Sequence, residues 1–72
     1  MQTTTKEESY SRALRVTLVV KANGGSVAVQ IKMGDGWVTS DTVWVDGGYQ
    51  LNIPTATVRF VPAAGAAFEV FA

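Results

Sequence analysis

Seventy-two residues, 47% of them hydrophobic, with six basic and six acidic side chains and no His or Cys, hold at most one domain. A chain this short buries only about 60% of the surface its unfolded form exposes, and small domains usually add a disulfide, a metal or a partner subunit. Disulfides and ordinary zinc, haem or iron–sulfur ligation are closed to a chain without Cys or His, which leaves oligomerisation.

The net charge of zero argues against nucleic acid, because Lys6, Arg12, Arg15, Lys21, Lys32 and Arg59 are scattered rather than striped. Apolar runs fall far short of the ~20 residues that a membrane helix needs. Met1 is followed by a polar stretch, Gln2 to Ser9, so neither a signal peptide nor a transmembrane segment is expected.

Residues 1–12 carry four of the twelve charges and no apolar periodicity. They read as an extended or flexible N-terminal arm with Tyr10 as its one sizeable apolar anchor. A short helix over 6–12 is an alternative, since Thr5 and Glu8 match a capping box. Removing residues 1–11 is expected to leave the rest folded.

From Ala13 the period is two. Leu14, Val16, Leu18 and Val20 alternate with Arg15, Thr17, Val19 and Lys21, and Asn23-Gly24-Gly25 then suits a tight hairpin turn. Val27, Val29, Ile31 and Met33 alternate with Ala28, Gln30 and Lys32. After a second turn at Gly34-Asp35-Gly36 come Trp37-Val38-Thr39, Ser40-Asp41 and Thr42-Val43-Trp44-Val45, then a third turn at Asp46-Gly47-Gly48. Tyr49, Leu51 and Ile53 alternate with Gln50 and Asn52, and Pro54 ends that strand or marks it as an edge. Val58 and Phe60 precede a turn at Pro62-Ala63-Ala64-Gly65, and Phe68 and Val70 close the chain. The fold class is all-β: a small antiparallel sandwich or barrel of six to seven strands over residues 13–72, preceded by the arm.

Catalysis has few candidates. Ser9, Ser11, Ser26 and Ser40, six carboxylates and three lysines remain once His and Cys are gone. Ser26 and Ser40 sit in predicted turns, where Ser is common for backbone reasons, and no enzyme is expected. Asp35, Asp41 and Asp46 lie in an acidic stretch without a positive charge, residues 33–48. Calcium takes such oxygen ligands, but the spacing fits no EF-hand loop. Solvated turn aspartates are the preferred reading, with no metal and no cofactor.

The apolar residues left over are more informative. Val43 and Val45 share one face of a regular strand and Trp44 takes the other; Val19, Val61 and Phe71 also oppose the main apolar faces of their strands. Either a bulge buries both sets, or the surplus meets a partner. The candidate partner contacts are Tyr10, Trp37, Trp44, Tyr49 and Phe71.

Two resemblances follow from these residues. Val29-Gln30-Ile31-Lys32 through Gly34-Asp35-Gly36-Trp37-Val38, with Thr57-Val58-Arg59-Phe60-Val61, resembles jelly-roll carbohydrate-binding and discoidin-like modules, which implies glycan binding through Trp37, Trp44 and Tyr49. The short polar arm, the Gly-paired turns, and Asp46-Gly47-Gly48-Tyr49-Gln50-Leu51-Asn52-Ile53-Pro54 with Val58-Arg59-Phe60-Val61-Pro62 resemble small virion proteins of tailed bacteriophages. These are capsid decoration (cement) proteins and head–tail or tail-associated β-proteins. That second resemblance implies a non-enzymatic structural protein in the virion, made in the host cytoplasm, a homo-oligomer whose arm or strand edges bind capsid or tail subunits. It is the preferred reading, and the glycan-binding module is the alternative.

Overall fold

Period-two alternation of β-branched and polar residues gives each strand one apolar face, and two such faces meet in this chain. The computed structural model describes residues 1–72 as seven strands: β1 (Lys6–Ser9), β2 (Leu14–Lys21), β3 (Ser26–Met33), β4 (Gly36–Val43), β5 (Gly47–Ile53), β6 (Thr57–Ala63) and β7 (Ala67–Phe71). They form a four-stranded sheet in the order β1-β6-β3-β4 and a three-stranded sheet in the order β5-β2-β7, antiparallel throughout. The expected all-β sandwich is the fold. No helix is long and apolar enough to cross a membrane.

Between the sheets lie Val16, Leu18 and Val20 of β2, Val27 and Val29 of β3, Ile53 of β5, Val58 and Phe60 of β6, and Phe68 of β7, all buried. Phe60 and Phe68 come from different sheets and meet at 5.9 Å between ring centroids, tilted by 37°, a favourable aromatic geometry. Tyr10, Leu14, Ile31, Tyr49, Leu51 and Val70 pack around this centre and are only partly covered.

The connections differ from a chain of hairpins. Only β3 and β4 are consecutive strands that also pair side by side, through the turn at Gly34 and Asp35. Asn23-Gly24-Gly25, expected as a hairpin turn, instead carries the chain from β2 in one sheet to β3 in the other. The links at 44–46 and 64–66 also cross between sheets.

These three arches lie at one end and are tied together. The Asp46 carboxylate accepts the Ala22 N–H at 2.7 Å, and the Asn23 side-chain amide donates to the Gly65 carbonyl at 3.1 Å. Gly25 is the tightest point, because a Cβ built there would overlap the Ala63 carbonyl oxygen. No side chain fits between these two arches. At the opposite end the Tyr10 N–H donates to the Ala56 carbonyl at 2.9 Å.

The first twelve residues, expected as an arm, lie against the sandwich. A helix over 6–12 is not what forms: Lys6–Ser9 is a strand, in register with β6 from Lys6↔Phe60 to Ser9↔Thr57. The capping-box pattern loses because an isolated helix of this length is unstable in water, whereas the edge of β6 offers a ready ladder. Upstream, Gln2 and Phe68 exchange both backbone hydrogen bonds, at 2.7 and 2.8 Å. One short segment therefore covers an edge of each sheet, β7 through Gln2 and β6 through β1.

That placement reverses the expectation for a truncation. Deleting residues 1–9 uncovers the free edges of β6 and β7 and the flank of Phe60. Denaturant unfolding should show a lower midpoint, with light scattering rising at high concentration as the bare edges pair. A truncated chain as stable and as soluble as the parent would contradict the role given to this segment.

Candidate interaction surface

Trp37 lies on the solvent face of the four-stranded sheet, opposite Lys32 in the β3–β4 register. The Arg59 guanidinium covers its ring, 4.2 Å from the centroid, a cation–π distance. Arg59 is itself fixed: its Nε–H donates to Gln30 Oε1 at 2.6 Å, and Gln30 Nε2 donates to Thr39 Oγ1 at 3.1 Å. The strand registers place Glu7, Arg59, Gln30 and Thr39 in one row across all four strands. Trp37 is thus half-buried under a neighbour of its own sheet.

Trp44 has a different setting. β4 ends at Val43, which is buried, and both Trp44 and Val45 follow in the arch to β5 with about two-thirds of their surface exposed. The alternation that would put Val45 beside Val43 stops because the chain leaves the sheet there. The expected opposition of Val43 and Val45 to Trp44 becomes one buried valine followed by an adjacent exposed Trp–Val pair.

Tyr49 is half-buried against the core, and its hydroxyl donates to the Val45 carbonyl at 2.6 Å, which braces this arch. Phe71 is exposed on the outer face of the three-stranded sheet, opposite Thr17. Val19 and Val61 are half-buried.

The five candidate contacts therefore do not form one surface. Trp37 and Trp44 stand at opposite ends of β4, about 20 Å apart at the rise of an extended strand. Phe71 lies on a strand of the other sheet. Trp37, Trp44 and Tyr49 make no aromatic row of the kind that stacks on sugar rings.

The turn aspartates are dispersed in the same way. Asp35 lies in the β3–β4 turn, Asp46 is bonded to Ala22 at the far end, and Asp41 lies within β4.

One groove is present, on the side of the sandwich away from the N-terminal segment. It measures about 290 Å³ and lies between β3–β4 and β5, with Val29, Ile31, Leu51 and Ile53 as its apolar wall and Ser40, Asp41, Gln50 and Asn52 as its polar lining. Ser40 sits at a bulge, where the β3–β4 register shifts between Val29 and Gln30, and its hydroxyl donates to the Val29 carbonyl at 3.3 Å. Asp41 pairs with Val29 and so points to the core side of the sheet, at the mouth of the groove. Sequence reasoning treated Asp41 as a turn residue. A bulge in this strand is one of the two sequence expectations, and one extra residue, Ser40, creates it, but Trp44 stays exposed.

Tyr10 is an ionisable side chain at the margin of the core. Its partial burial beside the core, and secondarily the Glu8 carboxylate, push its phenol pKa above the ordinary value. No known family model matches this chain, and neither a curated protein nor a solved structure is significantly similar to it.

Two outcomes follow. Trp44→Ala should cost less than ~1 kcal/mol of stability, since it removes an exposed side chain, against ~3–5 kcal/mol for Phe60→Ala; denaturant unfolding of both separates them. The folded chain holds the Tyr10 proton more tightly than the unfolded chain does. The contribution of Tyr10 to stability should therefore be level below the ordinary phenol pKa of about 10 and fall as pH rises through the higher folded-state value. Tyr10→Phe should flatten that alkaline slope, as read by unfolding at a series of pH values.

Proposed function

We propose that this protein is a non-enzymatic structural subunit of a larger protein assembly, a decoration (cement) or head–tail or tail-associated protein of a phage virion. The observation that carries the reading is the uneven finish of the sandwich. One side is closed by the protein's own N-terminal segment, while the other keeps an open apolar groove and an exposed Trp44–Val45 pair. In a domain of this size an uncovered tryptophan beside an open strand edge is a surface for another protein. Burying it on assembly supplies what a marginal core lacks.

The mechanism is docking of this side against neighbouring subunits, by apolar contact and by strand addition. The dispersal of Trp37, Trp44 and Tyr49 favours this reading over the glycan-binding one, which needs them on one platform.

The test is whether the protein travels with particles. Virions from the source culture are banded on a density gradient and probed for this chain, native and Trp44→Ser. The native chain should co-migrate at a fixed copy number per particle and the Trp44→Ser chain should be depleted, although both remain folded by circular dichroism. Recovery of the native chain only as free protein, or its binding to a glycan array, would overturn the reading.

A further inference from the structure

The sandwich has four strand edges, and three of them are blocked. The free side of β7 is paired at Phe68 by Gln2, which donates one backbone hydrogen bond and accepts the other, and the strand carries the charged Glu69. β1 carries Lys6, Glu7 and Glu8 within four residues. β4 contains the Ser40 bulge and the inward-facing Asp41. Charges, bulges and inward carboxylates are the devices by which natural edge strands refuse a neighbour.

β5 has none of them. Its seven residues, Gly47–Ile53, include no charge and no proline, and their register with β2 runs unbroken from Gly47↔Val20 to Ile53↔Leu14. Its other side has no partner.

We propose that β5 pairs with β5 of a second copy of this chain, antiparallel about a twofold axis at Gln50, joining two three-stranded sheets into one of six strands. This rests on the assembly reading above and names the edge and the occupant. The strand is self-complementary in that register. Gln50 meets Gln50, Tyr49 meets Leu51, Gly48 meets Asn52 and Gly47 meets Ile53, so no charged residue of β5 faces another; the nearest charge is Arg15 of β2, whose guanidinium donates to Gln50 Oε1 at 3.3 Å. The Tyr49–Leu51 pairs fall on the core-side face, where an aromatic beside an aliphatic residue is a favourable cross-strand pair.

Both residues are only half-buried within one chain, and Leu51 lines the groove. A second copy brings its Tyr49 beside that leucine, at the groove mouth. Trp44 and Val45 lie just before β5, where the joined ladder leads towards Pro54 and Thr55 of the other copy. The uncharged strand offers nothing to select an oppositely charged partner, and a chain with zero net charge does not repel its own copies. Self-pairing about a twofold axis is the commonest closed symmetry.

Because the native chain has no cysteine, one introduced thiol reports on one position. Gln50→Cys places two thiols opposite each other at the axis, and Thr42→Cys places one on the blocked β4 edge as a control. Under mild oxidation at micromolar concentration, Gln50→Cys should form a covalent dimer at least tenfold faster than Thr42→Cys, with the circular dichroism of the native chain. Unmodified protein should sediment as a dimer over the same range.

Equal crosslinking rates, or a native chain that stays monomeric throughout, would overturn the pairing. A monomer that still bands with particles would overturn the pairing while leaving the assembly reading intact. A dimer never found in particles would overturn the assembly reading and leave the pairing standing.

Discussion

The fold depends on one layer of contact, the valine-rich inner faces of β2, β3 and β6 closing on each other around Phe60 and Phe68. Without disulfides, that layer must hold the two sheets in register with help only from the chain's connections. The arches at one end supply it. Asp46 holds the start of the β2–β3 arch, Asn23 holds the β6–β7 arch, and Gly25 lets the backbone of one run against the carbonyl of another. A side chain at that glycine would force two arches apart, and with them the sheets. The polar ties are few but placed where the chain crosses between layers.

Strand existence was legible because the alternation is caused by burial of one face, and burial is what period two encodes. Sheet membership was not. Asn23-Gly24-Gly25 offers a left-handed conformation at Asn23 and Gly24, which a hairpin and an inter-sheet arch both use, so local chemistry cannot tell them apart. β1 was invisible for the opposite reason. Lys6-Glu7-Glu8-Ser9 forms an edge strand whose place comes from the ladder of β6 rather than from its own side chains. Val45 was misplaced beside Val43 because the alternation was extended two residues beyond the point where β4 ends, whereas Trp44 is exposed, as a partner contact must be. The cover that Arg59 gives Trp37 had no sequence signal, since it joins residues far apart in the chain through the β3–β6 and β3–β4 registers.

The finished molecule is asymmetric in how it treats its edges. Gln2 and β1 cover one side, a bulge and Asp41 guard β4, and β5 is left plain. An unprotected edge is a hazard to a freely diffusing monomer and an asset to a subunit, because the same backbone groups that invite aggregation make a specific ladder when one partner is provided. The exposed Trp44–Val45 pair and the groove wall of Leu51 and Ile53 lie beside that edge, so apolar burial and backbone pairing would act together there.

Amide hydrogen exchange on the full chain, followed residue by residue as concentration is raised, tests this most directly. Outward-facing amides of β5 should exchange fast in dilute solution and become protected at high concentration. Those of β4 should stay fast throughout, and the Phe68 amide, bonded to Gln2, should be slow at every concentration. Protection of β5 that does not change with concentration, or protection gained by β4 instead, would contradict the account.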